Sequence, residues 1–371
     1  MIYNNIIHNE TIIKKFSKII ESKQISHSFL FHGTKHTGKI GHAIEFSAAL
    51  LCHKLNNNFT ACGKCISCNK IRNNRHENIN YIYPMPAKSN LSTKVADELN
   101  NKLDNIILTP YHDNFENSNS ISISTIRELK KNMTLSTIND NYQINIILES
   151  DKLCYPKQES ANALLKILEE PNDKYIFILI SSDYSKIIDT IKSRCNQIFF
   201  PKPSELNINN YLTDNYKLNE NDAIQIAKIC NGNMNIAISL NKKFDELLNE
   251  LSLFLINIYD HNFDNLTKYL NNFNKNSNQI VLLNLMTIFF TDIILMNNNN
   301  KIKLFKLENL MNKFLSKFPN AKWNKIINEI QKFKTIDRSY TPLFVLSFII
   351  ELNKFLTNKK NHNILDNYIQ L

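Results

Sequence analysis

The chain has 371 residues, 43% of them apolar and 21% charged, with a formal net charge of +10. That length suits two or three domains with real cores. No apolar run reaches membrane-spanning length and no leader-like segment opens the chain, so a soluble cytoplasmic protein without membrane contact is expected. The basic balance suits nucleic acid or an acidic assembly. Asn, Lys and Ile crowd the chain, as an AT-rich genome would make them, so the charge carries little weight.

Apolar Ile12, Phe16, Ile19 and Ile20 recur at helical spacing, which predicts a helix over 9–21 with Asn9 as N-cap. Ser28-Phe29-Leu30-Phe31-His32 reads as a strand. It runs into Gly33-Thr34-Lys35-His36-Thr37-Gly38-Lys39-Ile40 and then an apolar, helix-like stretch, Ala43 to Leu51. Strand, Gly-rich loop and helix are the setting of a phosphate-binding loop. Glycines let backbone N–H groups face an anion, and Lys39 would reach the outer phosphates. Gly33, Gly38 and Gly41 fall within nine residues of a chain that has only five glycines. The position after the lysine normally carries a Ser or Thr hydroxyl for Mg²⁺, and here it is Ile40. An ordinary strand-to-helix turn is the bland alternative.

Four of the seven cysteines cluster as Cys52-x(9)-Cys62-x(2)-Cys65-x(2)-Cys68, with Gly63 inside the first short link. Four thiolates at such spacing point to a structural zinc knob inserted in a larger domain. No basic recognition helix is framed between the ligands, which argues against a zinc-dependent nucleic-acid-reading module. The alternative is that Cys52 is a core residue of its helix.

Residues 79–84 read as a second strand, and 85–120 as a partly helical surface insertion punctuated by Pro84, Pro86 and Pro110. Ile126-Arg127-Glu128-Leu129 with Met133 suggest a helix. Tyr142 to Leu148 is a buried strand of the parallel-sheet kind. Nucleotide hydrolases usually end that strand in Asp-Glu, the Asp serving Mg²⁺ and the Glu the attacking water. Here the pair is Leu148-Glu149. A helix follows over Ser160 to Glu170 and stops at Pro171. Another buried strand spans Tyr175 to Ile180, and Thr190-Ile191-Lys192-Ser193-Arg194-Cys195 comes next.

The stretch Ala161-Asn162-Ala163-Leu164-Leu165-Lys166, with Leu168-Glu169-Glu170-Pro171 and Ser193-Arg194-Cys195, resembles the clamp-loader branch of the AAA+ ATPases. The four-cysteine insertion narrows the likeness to the gamma/tau and delta-prime subunits of bacterial DNA polymerase III. It covers about residues 1–240. Gamma/tau would carry Thr or Ser at Ile40, Asp at Leu148 and a lid arginine where Gly232-Asn233-Met234-Asn235-Ile236-Ala237 has Asn235. Those departures resemble delta-prime, the subunit that does not fire. The alternative is an active gamma/tau-type ATPase.

The resemblance implies an α/β P-loop domain with a mostly parallel sheet and a zinc knob (1–200, knob 52–68). A small helical lid (201–245) and an all-α collar (246–371) follow. It implies Arg194 as an arginine finger acting in trans, and weak or no nucleotide at Gly33, Gly38 and Lys39. The implied metal is zinc on Cys52, Cys62, Cys65 and Cys68. The implied partners are the gamma/tau and delta subunits in a hetero-oligomeric ring and, through the complex, the sliding clamp and primer-template DNA.

Overall fold

The computed structural model describes residues 2–3, 6–86, 93–111, 120–135, 141–154, 157–170, 174–241, 243–262, 279–297, 302–335 and 342–357. They form two compact units: residues 1–215 with 232–235, and residues 216–231 with 236 onward.

The first unit is built on five parallel strands, β1 (Ser28–His32), β2 (Ile79–Ile82), β3 (Gln143–Ile147), β4 (Tyr175–Ser181) and β5 (Asn196–Phe199), in the order β2-β3-β4-β1-β5. Every residue of β4 is buried, as are four of the five in β1. Continuous apolar runs such as Phe29-Leu30-Phe31 and Ile176-Phe177-Ile178-Leu179 are what strands covered on both faces require. The register Ser28↔Phe177 to His32↔Ser181, with Ile147↔Leu179, brings the carboxyl ends of β1, β3 and β4 to one edge. In open parallel sheets that edge, where strand order reverses about β1, is where ligands bind.

The helix α1 (Glu10–Glu21) starts as expected: Asn9 Oδ1 accepts the Ile12 N–H at 3.2 Å. The helix α2 (Lys39–Leu51) begins directly in the Gly-rich loop, and 11 of its residues are buried. A short α3 (Ile66–Arg72) follows the cysteines. Then come α4 (Thr93–Leu108), α5 (Ile123–Leu135), α6 (Glu159–Glu169) and the one-turn α7 (Asp189–Lys192). Pro171, expected to stop α6, lies outside the described residues.

Three expectations need correction. The 85–120 stretch is helical in part, but it is not a surface insertion throughout. Leu99, Leu103, Ile106, Ile107 and Tyr111 are all buried, because one face of α4 and the turn after it are apolar. Arg194 does not follow a strand. It follows α7 and leads into β5, an edge strand with exposed Asn196, Gln197 and Phe199 whose alternation was too short to read. The α2 helix also opens at Lys39 rather than Ala43.

After β5 every described element is helical. The helix α8 (Glu205–Tyr216) lies almost wholly in the first unit. The second unit holds α9 (Glu220–Cys230), most of α10 (Met234–Asn241), α11 (Phe244–Tyr259), α12 (Gln279–Asn297), α13 (Glu308–Lys317), α14 (Trp323–Thr335) and α15 (Pro342–Thr357). Its core is aromatic: Phe314 meets Phe289 at 5.5 Å between ring centroids, and Phe290 stacks on Trp323 at 6.1 Å. Lys306 Nζ ties α9 to α11 through Asp222 at 2.5 Å and Asp245 at 2.7 Å.

Candidate functional site

The two loops that sequence singled out are the two ends of α2. At its C-terminal end Cys52 leaves the helix with extended backbone. Gly63 takes φ 72°, a left-handed conformation that a tight Cys-Gly-Lys-Cys turn demands and a side chain resists. Cys65 caps α3, its sulfur accepting the Cys68 N–H at 3.4 Å. The Cys62 sulfur accepts N–H groups from Lys64 at 3.4 Å and Cys65 at 3.3 Å, and the Cys52 sulfur accepts the Cys62 N–H at 3.3 Å.

All four sulfurs lie within 4.8 Å of one another. Cys52–Cys68 is 3.7 Å, while Cys52–Cys65 and Cys62–Cys68 are 3.9 Å. A tetrahedron with metal–sulfur bonds of about 2.3 Å has edges of about 3.8 Å. A disulfide needs about 2.05 Å, and all four thiols are free. The donor set therefore fits one tetrahedral metal ion and is compatible with zinc. The Lys64 and Cys65 amides pull the Cys62 thiol down to about 6, whereas burial pushes the Cys68 thiol up.

At the N-terminal end of α2, Gly33, Gly38 and Lys39 are brought together as expected. Gly33 has φ 148°, and a Cβ there would lie 2.3 Å from the Phe200 carbonyl oxygen. Gly38 has φ 87° and forms the N-cap. Lys39 is buried, and its Nζ donates to the loop's own carbonyls, Gly33 O at 3.0 Å and Thr34 O at 2.5 Å. Its amine is thus turned onto its own loop.

His42, one turn on, was not read from the sequence. Its Nδ1 donates to Gly38 O at 2.8 Å and its Nε2 accepts the Asn9 N–H at 3.2 Å, which fixes the neutral tautomer. Burial pushes its pKa down to about 4. Ile40, at the start of α2, and Leu148, after β3, are buried hydrocarbon side chains at 3% and 1% exposure. Leu148 is followed by Glu149 at φ 47°. Nearby, Ser181 Oγ at the end of β4 donates to Asp151 Oδ1 at 3.2 Å. Asn235 is half-buried at the start of α10.

Arg194 leads into β5, the strand beside β1, but sits at the Ser28 end of β1, opposite the end that runs into the loop. Its carbonyl accepts the Ser28 hydroxyl at 2.6 Å, anchoring its backbone to β1. Its guanidinium is one-third exposed, donating to Glu169 Oε1 at 2.6 Å and to Thr190 O at 3.0 Å. An exposed pair of this kind contributes about 0–1 kcal/mol, so exchanging Glu169 for another anion costs little. Sequence reading also missed a groove of about 440 Å³ between α5 and α6. Arg127, Lys130 and Lys166 line it, with Glu159 the single acid among the lining residues. Its signal was a charge pattern split across two helices that are far apart in sequence, Ile123–Leu135 and Glu159–Glu169.

Among the described residues no helix is long and apolar enough to cross a membrane. Residues 8–204 match a family described as DNA polymerase III, delta subunit. The chain is 28% identical over 340 residues to the DNA polymerase III subunit delta' of Buchnera aphidicola subsp. Schizaphis graminum, covering 90% of this chain and 92% of that one. It is 27% identical over 374 residues to the gamma subunit of the same organism, covering 98% of this chain and 86% of that one. It is 26% identical over 189 residues to the subunit delta' of Bacillus subtilis, covering 51% of this chain and 46%, less than half, of that relative's length. Relatives thus include both delta-prime and gamma/tau subunits. With more than half of its length matching the family, the chain belongs to the DNA polymerase III clamp-loader family of AAA+ proteins.

Proposed function

We propose that this chain is a delta-prime-type clamp-loader subunit, a partner-binding protein on an ATPase fold that does not turn over ATP itself. The observation that carries the reading is the pair Ile40 and Leu148, both buried hydrocarbon where the magnesium site needs oxygen. Phosphoryl transfer requires Mg²⁺ to neutralise the β- and γ-phosphate oxygens. Two independent losses in one metal site weigh more than either alone, and Asn235 adds a third departure in the lid.

In this role the chain occupies a hetero-oligomeric ring beside gamma/tau and delta subunits. It helps place the sliding clamp on primed DNA and offers Arg194 to a neighbour's ATP. A planar, always-charged fork suits charge spread over phosphate oxygens. Residues 201–245 serve as a lid and 246–371 as a ring-forming collar. Zinc holds the knob through Cys52, Cys62, Cys65 and Cys68; a closed four-thiolate shell supplies rigidity rather than chemistry. The groove of Arg127, Lys130 and Lys166 suits a nucleic-acid backbone.

The test is ATP turnover with and without partners. The purified chain alone is expected to show none. In a reconstituted ring, Arg194→Ala folds and assembles, and the DNA- and clamp-stimulated ATPase falls by up to about 10³–10⁵. Arg194→Lys rescues poorly, because an ammonium cannot replace the fork. Sustained hydrolysis by the chain alone, lost in Lys39→Ala, would establish the gamma/tau-type enzyme instead.

A further inference from the structure

We infer that the end of α4, residues 107–111, is a strap that seals the phosphate loop, with Tyr111 as its latch. The strap rests on the proposed reading of a chain that does not turn over ATP, and it concerns binding at the loop rather than hydrolysis.

The strap is tied to the rest of the domain at its two ends, Ile107 and Tyr111. The Ile107 carbonyl accepts the Tyr3 hydroxyl. Thr109 caps the helix, its N–H and Oγ1 donating to Asn105 O at 2.8 and 2.7 Å. The Tyr111 hydroxyl oxygen accepts the Ile7 N–H at 2.6 Å. The Tyr111 carbonyl accepts His36 Nδ1 at 2.9 Å, and His36 belongs to the phosphate loop. His36 holds φ 59°, a left-handed conformation that presents its ring to the strap. Tyr111 is only 2% exposed and meets Tyr211 edge-on at 6.0 Å.

The glycines show what the strap displaces. A Cβ on Gly38 would lie 3.3 Å from the Tyr111 ring. A Cβ on Gly41 would lie 3.2 Å from both Pro110 Cβ and Ile6 Cδ1. In a working phosphate loop, bare backbone leaves room for an anion. Here the loop's Gly38 is in contact with the strap, and Gly41, in the first turn of α2, touches both the strap and the N-terminal segment. Thr37 and Lys39 are buried at 5% and 2% exposure, and the Lys39 amine is bonded to carbonyls of its own loop. Loss of Mg²⁺ ligands would stop hydrolysis but not binding. The strap closes the loop to the phosphates themselves.

Accessibility of Lys39 and binding of ATP test the inference on the full chain. Wild type, Tyr111→Ala and His36→Gly are exposed briefly to an amine-acylating ester, and Lys39 labelling is read by peptide mass. ATP binding, with and without Mg²⁺, is followed by equilibrium dialysis. Tyr111→Ala is expected to raise Lys39 labelling by on the order of tenfold or more, as opening of the strap frees the loop. It is also expected to bind ATP that wild type does not, and Tyr111→Ala with Lys39→Ala loses that binding. Should Tyr111→Ala fail to fold, His36→Gly removes the tie to the strap carbonyl while accepting the positive φ, and gives the same reading at smaller amplitude. Wild-type Lys39 labelled as fast as in the folded variant, or wild type binding ATP as tightly, overturns the strap. A wild-type loop that is open yet turns over no ATP overturns it while leaving the proposed subunit role intact.

Discussion

The two ends of α2 carry the two loops that look most like ligand sites, and they differ in what their glycines and donors face. At Cys52, Gly63 turns the chain so that four sulfurs converge at tetrahedral spacing. At Lys39, Gly33, Gly38 and Gly41 admit Phe200, Tyr111, Pro110 and Ile6, and the lysine amine faces its own loop. Thiolates have few uses in a cluster, so cysteine spacing reads almost directly as a metal site. A glycine says only that something comes close. Whether that something is a phosphate or the chain itself is decided by residues far away in sequence.

The largest expected effect falls at the metal end. Removing the metal with chelator, or Cys65→Ser, should abolish stoichiometric zinc and expose the amides of residues 52–72 to hydrogen exchange, while the parallel sheet keeps its protection. Structural zinc contributes about 10–16 kcal/mol in small peptide sites, so partial retention of knob protection without metal would blur the contrast. Metal analysis and exchange mass spectrometry decide it.

At the other end the expected effect is smaller and depends on pH. His42 is held neutral, with a folded pKa of about 4 against an ordinary 6.5. The unfolded chain therefore binds the extra proton between these values, so stability is fully present above pH 6.5 and is lost as pH falls toward 4. The shift corresponds to roughly 3 kcal/mol. Denaturant melts at pH 7 and 4.5 should show a steeper acid loss in wild type than in His42→Asn. Equal slopes would mean that the histidine is not sealed beneath the loop.

The smallest effect separates contact from mere nearness. Gly41→Ala places a methyl 3.2 Å from Pro110 and Ile6. Overpacking of this kind costs about 1–3 kcal/mol. A thermal melt unchanged by Gly41→Ala would show that the cover yields freely there.

Much of the first unit was legible because buried parallel strands are written as unbroken apolar runs, as in Ile176-Phe177-Ile178-Leu179. The Gly-rich loop and the cysteine cluster were equally legible, since each depends on residue type at a fixed local spacing. Tyr111 was not. Its burial depends on bonds to Ile7 and His36, 104 and 75 residues away, and nothing in Pro110-Tyr111 itself declares them. β5 was missed for a similar reason: its pairing comes from β1, and only Ile198 of its four residues is buried. The resting partner of Arg194 was likewise hidden, because Glu169 had been read only as part of a helix motif.

The anchoring of Arg194 bears on how a ring of such subunits would keep time. The Arg194 carbonyl is fixed to Ser28 on β1, and its fork rests on Glu169 and Thr190 of its own subunit. Immobilising a long side chain on docking costs about 0.5–1.5 kcal/mol, and the backbone anchor limits how much of that is left to the side chain, whose exposed pair with Glu169 is easily exchanged. In the proposed role, the root of the arginine would therefore travel with the sheet as a fixed tooth on a gear. Its reach toward a neighbour would be set by the tilt of the whole domain rather than by a search of its own.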